Sequence, residues 1–182
     1  MQELMRRKRN RLKSYDYAQA GAYFITICSK NRRCIFGDVV DGEMRLSTVG
    51  LIVEREIQTH LSIEQHVIMP NHIHMMIVLR NGERRESVGT GLAPVPLQEQ
   101  AEYNVPDIVR ELKSKVSVAV LALCRRKNRQ MGKLWQRSYH DHIVRDEKDY
   151  RRIYEYIENN PLQWEVDCHN PESEKHKNWI DT

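Results

Sequence analysis

The sequence predicts an α+β domain: a largely antiparallel sheet with helices packed against it. Two observations carry this. Short stretches rich in aromatic and β-branched residues are mixed with longer stretches whose apolar residues recur at helical spacing. Long helical stretches separate the groups of strands rather than standing apart from them. The chain has 182 residues, enough for one domain with a real core and short for two. Residues 1–182 are therefore taken as a single domain.

Ala22 to Ser29 reads as a strand, short and apolar enough to be buried. Ile35 to Leu46 reads as a hairpin with Asp41-Gly42 at its turn. Ser47 or Thr48 can cap a helix running to about His60, with Val49, Ile52, Val53 and Ile57 as its apolar stripe. His66 to Met69 is a short strand broken by Pro70-Asn71, and His72 to Leu79 is a second strand. Residues 82–104 carry Gly, Pro, Ser, Thr and charges without periodicity and read as a flexible loop. Val105 to Arg126 is a long helix with Pro106 in its first turn and Ile108, Leu112, Val116, Val120 and Leu123 at helical spacing. Leu134 to Val144 reads as a strand, and Asp146 to Asn160 as a helix stopped by Pro161. From Glu165 to residue 182 the sequence is polar and reads as a loosely held tail.

Net charge is +4, and the basic residues are clustered. Arg6, Arg7, Lys8 and Arg9 form one run, and Arg125, Arg126 and Lys127 a second. Such clusters suit the phosphates of a nucleic acid, and equally a solvated tail and a solvated helix end. Cys28, Cys34, Cys124 and Cys168 form no CxxC pair and match no zinc-finger spacing, so a reducing compartment is expected. No segment is long enough to span a bilayer, and the basic start is followed by polar residues, unlike a secretory signal. The expected location is the cytoplasm.

His72 and His74 stand two apart in a strand, so both imidazoles face one way while Ile73 and Met75 face the other. Two ring nitrogens on one face can share a metal ion. By itself the pair fits equally two partly exposed histidines on the solvent face of a sheet. A histidine-triad hydrolase would need a third histidine where Met76 stands. A two-histidine phosphoesterase would need a hydroxyl residue after His140-Asp141-His142. A zinc phosphoesterase using His72, His74, His140 and His142 stays open.

The segment DYRRIYEYIENNP holds three tyrosines. At helical period Tyr150, Ile153, Tyr154 and Ile157 form one stripe, read as the core face. Tyr156 lies off it, in a polar setting, with Asn160 one turn further on. By itself Tyr156 fits a surface tyrosine and Asn160 a helix C-terminal residue.

Together the blocks HVIMPNHIHMMIVL, LWQRSYHDHIVRDE and DYRRIYEYIENNP resemble the REP-associated tyrosine transposases. These are relatives of the single-tyrosine insertion-sequence transposases within the HUH endonuclease superfamily, named for His, bulky apolar residue, His. The resemblance runs from AYFITICSKNRRCIFG to Asn160-Pro161. It implies a ferredoxin-like sheet, with the histidines on a central strand and the tyrosine on a nearby helix. It implies His72, His74 and Asn160 as ligands of Mg²⁺ or Mn²⁺, and Tyr156 as the nucleophile that forms a 5′-phosphotyrosine link. The implied partner is single-stranded or hairpin DNA, a repetitive extragenic palindrome, with the two basic runs on its phosphates. The implied site is completed within a monomer, although a dimer is open. The metal or His142 could take the tyrosine proton, and Tyr23, Trp135 and Tyr139 could stack on unpaired bases. A descendant that binds hairpins without cutting them is the alternative.

Overall fold

In a computed structural model of the chain, residues 16–80 and 104–173 are described. The basic run Arg6–Arg9, residues 82–103 of the expected loop 82–104 and residues 174–182 of the expected tail lie outside them. The strands are β1 (Gly21–Cys28), β2 (Gly37–Val40), β3 (Glu43–Leu46), β4 (Ile63–Ile68), β5 (His72–Leu79) and β6 (His140–Ile143). The α-helices are α1 (Thr48–Gln58), α2 (Val105–Arg126) and α3 (Glu147–Glu158), and a 3₁₀ turn follows at Pro161–Val166.

The central sheet runs β4-β5-β1-β6, and every pairing in it is antiparallel. Its strands and crossovers follow in the order β1-α1-β4-β5-α2-β6, which is the ferredoxin-like arrangement. β2 and β3 form a separate hairpin inserted between β1 and α1. Asp41 and Gly42 both have positive φ, 55° and 77°, as a two-residue hairpin of this hand requires.

Sequence and local structure agree closely at the helix starts. The Ser47 hydroxyl accepts from the backbone N–H groups of Val49 and Gly50, Asn104 accepts from Asp107 N–H, and Asp146 from Asp149 N–H. Each satisfies a donor that the first turn leaves unpaired. Gly50 is required by close approach, since a Cβ there would sit 2.1 Å from the Phe36 carbonyl oxygen.

Two layers cover the sheet. Ile73, Met75 and Ile77 of β5 and Tyr23, Ile25 and Ile27 of β1 pack with Val53 and Ile57 of α1 and Ile108, Leu112 and Val116 of α2. On the opposite face Met76, Phe24 and Val67 pack with Ile153 and Ile157 of α3. The period-two alternation of β5 thus feeds two different layers.

Two expectations are corrected. The strand expected at Leu134 to Val144 is ladder-paired only over His140–Ile143. Upstream of it, Trp135 makes one isolated bridge to Ser29. The apolar residues there, Leu134 and Tyr139, are buried without the hydrogen-bond ladder that apolar content alone cannot guarantee. The loosely held tail expected from Glu165 is not found over residues 165–173. The Cys168 carbonyl accepts from Arg32 Nη1 at 3.2 Å, the His169 carbonyl from Asn71 Nδ2 at 2.7 Å, and the Ser173 hydroxyl donates to the Asp167 carbonyl at 2.7 Å. Backbone groups paired this way are held in place by the polar composition that suggested a tail.

Candidate active site

β5 begins at His72, directly after the Pro70-Asn71 turn, and both histidines face α3. They are 0 % and 2 % exposed, not on an open solvent face. Their Nε2 atoms stand 3.0 Å apart. The other ring nitrogens are occupied. His72 Nδ1 meets Asn71 Oδ1 at 2.8 Å. The Asn71 amide Nδ2 donates to the carbonyls of Arg32 and His169 at 3.1 and 2.7 Å. That fixes Oδ1 as the acceptor, so His72 carries its proton on Nδ1 and presents a bare Nε2 lone pair. His74 Nδ1 meets the hydroxyl of Thr26, its register partner on β1, at 2.8 Å. The Thr26 hydroxyl can accept from Nδ1–H, the tautomer that frees His74 Nε2 for an ion. Burial, then the neighbouring imidazoles, hold the His72 pKa well below its ordinary value. Burial and His169 push that of His74 down to about 3. Both rings are neutral at physiological pH, the form that binds metal.

α3 brings up the tyrosine. Tyr156 Oη lies 3.3 Å from His74 Nε2. Its ring meets Phe24 edge-on at 5.9 Å between centroids and His74 at 5.2 Å. Phe24 in turn stacks on His74 at 5.1 Å, so one ring supports both functional groups. Tyr156 is 37 % exposed, open to solvent on one side. Burial and the Asp167 charge raise its pKa, and the Asn160 amide opposes them. Asn160, one turn on, is 1 % exposed, and neither its Oδ1 nor its Nδ2 has a well-formed hydrogen bond. A buried amide in that state is costly unless a ligand satisfies it.

The helical stripe needs one correction. Ile153 and Ile157 are buried and Tyr150 is half-buried, but Tyr154 is 36 % exposed. It stacks on Tyr150 at 6.3 Å. At about 100° per residue, Tyr154 stands on one flank of the Ile153–Ile157 line and Tyr156 on the other. The helix meets a single sheet face, which covers the line and not both flanks.

The segment after α3 adds two groups that sequence reasoning missed. His169 packs its ring 4.4 Å from that of His72. Asp167 Oδ2 lies 4.0 Å from His72 Nε2, and its Oδ1 accepts from the His169 backbone N–H at 2.6 Å. Burial raises the Asp167 pKa, but the hydrogen bonds from His169 outweigh it and leave it lowered. One ligand atom each from His72, Asp167 and His169 lie within 4.8 Å of one another. The usable signal was Asp-x-His with an extended Asp167 (φ −69°, ψ 135°), the same alternation that flagged His72 and His74.

Two neutral imidazoles with converging Nε2 atoms, a buried carboxylate and an amide without a well-formed hydrogen bond could offer an ion mixed N and O ligands. Such a donor set fits a divalent ion of the Mg²⁺–Mn²⁺ kind.

No family model matches the chain. It is 39 % identical over 175 residues to an uncharacterized protein of Haemophilus influenzae, covering 88 % of this chain and 91 % of that one. A second protein of the same organism, named "Putative REP-associated tyrosine transposase", is 25 % identical over 150 residues, covering 81 % of this chain and 74 % of the relative. A solved structure of a REP-associated tyrosine transposase bound to a REP hairpin matches the fold with a TM-score of 0.54. It is 21 % identical, covering 90 % of this chain and 74 % of that one.

The chain is thus similar in sequence to a REP-associated tyrosine transposase and shares the fold of a second. The remaining candidate residues can be placed within that fold. Arg125, Arg126 and Lys127 are exposed at the end of α2, the helix that packs on the sheet face opposite the histidine pair. Arg32 is nearer: its charge reaches His72. The three candidate stacking platforms are taken up elsewhere. Tyr23 and Tyr139 are buried in the core. Trp135 packs on Phe36 at 5.4 Å and donates from Nε1 to the Lys113 carbonyl. His142 is held by Asp149 at 2.7 Å. His140 pairs across β1 at Thr26, which separates it from His74. Among the described residues the set whose ligand atoms lie within 4.8 Å of one another is His72, Asp167 and His169, and His74, His140 and His142 stand outside it.

Proposed function

We propose that this chain nicks and rejoins single-stranded DNA through a 5′-phosphotyrosine intermediate on Tyr156, beside a divalent ion held by His72, His74 and Asn160. The observation that carries the reading is the contact of Tyr156 Oη with His74 Nε2 at 3.3 Å, with His72 Nε2 3.0 Å beyond. It supports a nucleophile and two metal-binding nitrogens meeting within one chain, the arrangement expected of an enzyme that works as a monomer.

In the first step the Tyr156 oxygen attacks phosphorus. The new O–P bond forms as the bond to the 3′ oxygen breaks, and that oxygen leaves as a hydroxyl. The phenol proton departs by the solvent-open side of Tyr156 and balances the proton gained by the 3′ oxygen. The phosphotyrosine keeps the ester, so an incoming 3′-hydroxyl reverses the step and joins strands. Mg²⁺ or Mn²⁺ at the histidines would supply positive charge for the non-bridging phosphate oxygens. Asn71 and Thr26 orient the imidazoles, and Phe24 sets the tyrosine ring against His74. Since the Tyr156 pKa is raised by burial, the phenol reacts only with its proton leaving.

A tyrosine on a rigid helix needs a backbone that can bend into it, which favours unpaired DNA. The relative solved with a REP hairpin supports hairpin DNA as the substrate. Arg6, Arg7, Lys8 and Arg9, with Arg125, Arg126 and Lys127, would hold its phosphates and position it without reading sequence. With such a substrate the expected location is the bacterial cytoplasm.

The test is incubation of the full chain with labelled single-stranded hairpin DNA and Mn²⁺. The expected result is a DNA–protein adduct that survives denaturant, disappears with chelator and does not form with Tyr156→Phe. Tight hairpin binding with no adduct under any divalent ion would instead indicate a binding protein that does not cut.

A further inference from the structure

We infer that Asp167 and His169 are themselves ligands of the ion held at His72, so that the metal centre is built from β5 and from the segment that follows α3. This rests on the metal centre proposed above and extends its ligand set.

Four observations converge on it. One ligand atom from each of His72, Asp167 and His169 falls within 4.8 Å of the others. Ligands of one ion at about 2.1 Å each can be up to about 4.2 Å apart, and the 4.0 Å from Asp167 Oδ2 to His72 Nε2 lies inside that reach. That distance is too long for a hydrogen bond, so the two atoms face each other with no direct bond. The Asp167 side chain is almost wholly buried, where an ionised carboxylate needs compensation. Asn160, buried with both amide atoms lacking a well-formed hydrogen bond, lies on the same side, within reach of the Tyr156 hydroxyl.

The two halves of the centre are also tied by one side chain. Asn71 accepts from His72 Nδ1 and donates to the His169 carbonyl. A single amide therefore sets the lone pair of one ligand and the backbone position of another, as partners behind metal ligands commonly do. The consequence is a richer donor set than two imidazoles and an amide. A further imidazole favours Mn²⁺ over Mg²⁺, because nitrogen donors rank the later metal higher, while the carboxylate suits both ions.

The experiment reads metal, not catalysis. The full chain carrying Tyr156→Phe is titrated with Mn²⁺, following the free-ion electron paramagnetic signal, with Asp167→Asn, His169→Gln and His72→Ala added in turn. Far-ultraviolet circular dichroism checks the fold. Asp167→Asn and His169→Gln are each expected to weaken Mn²⁺ binding at least about tenfold, as is His72→Ala. Wild-type affinity in folded Asp167→Asn and His169→Gln, with loss only in His72→Ala, would overturn this inference and leave the histidine-pair centre standing. Unchanged affinity in all three would remove both. Should the variants unfold, the nitrogen modulation of bound Mn²⁺ in the Tyr156→Phe protein decides. Three coupled imidazoles support the inference; two overturn it.

Discussion

The two faces of β5 are built from one strand and obey different rules. Ile73, Met75 and Ile77 point into the layer formed with α1 and α2 and pack in its apolar cluster. His72 and His74, on the other face, are equally buried but meet Asn71, Thr26, Tyr156, Asp167 and His169. Non-directional burial holds the first face together. The second requires each nitrogen to find a partner from a different part of the chain. Substitutions on the first face should therefore cost stability, and substitutions on the second should cost chemistry.

The largest separation is expected at the histidines. His72→Ala and His74→Ala should each lower adduct formation by about 10²–10³-fold or more, while hairpin binding and circular dichroism stay close to wild type. Either variant cutting normally would show that the two faces do not differ in function. On the apolar face, Ile73→Ala or Ile77→Ala should destabilise the protein by about 2–5 kcal/mol in a denaturant titration. The adduct yield of the protein that remains folded should be preserved. A fully stable Ile77→Ala with lost activity would contradict the division.

Asn71→Ala tests the link between the faces' edges and should act through the ion. It removes the acceptor that fixes His72, and is expected to weaken Mn²⁺ binding by about 10–100-fold. Added Mn²⁺ should then restore part of the activity, whereas a merely structural defect would not respond to it.

The smallest effect is a pH slope. In metal-free protein, both histidines are neutral when folded, with lowered pKa values, but titrate near 6.5 when unfolded. Below that value the unfolded state binds more protons, so stability is full above about pH 6.5 and falls as pH drops towards the folded value. For His74 that decline continues to about pH 3. Each histidine should contribute up to about 1.4 kcal/mol per pH unit within its window. Replacing His74 with glutamine should flatten the slope over pH 4–6, measured by urea titration; an unchanged slope would mean the ring is protonated in the folded state.

The same comparison explains what could be read from the sequence. Apolar period and caps are local, and they place α2 at Val105–Arg126 and β5 at His72–Leu79, where the pattern puts them. The histidine pair and Tyr156 are legible because strand and helix phase predict which way a side chain points. Asp167 and His169 are not, because their role comes from contacts with His72 across almost a hundred residues of sequence. Their polar surroundings look like a tail. Tyr154 differs for a related reason: its helical phase puts it on the flank of the Ile153–Ile157 line opposite Tyr156, and the sheet covers the line and not the flank. The short ladder of β6 has the same cause, since Leu134 and Tyr139 are buried by packing and not by pairing.

The central claim is that Tyr156 is the atom donor for a covalent link to DNA, and residue-level mapping of the adduct tests it most directly. After reaction with hairpin DNA and Mn²⁺, nuclease and trypsin digestion should leave a nucleotide on the peptide that begins at Ile153 and carries both Tyr154 and Tyr156. Fragmentation in a mass spectrometer should place the phosphate on Tyr156, and Tyr154→Phe should leave the yield unchanged. A nucleotide found on Tyr154, on Tyr150 or on any residue in a folded Tyr156→Phe protein would contradict the account.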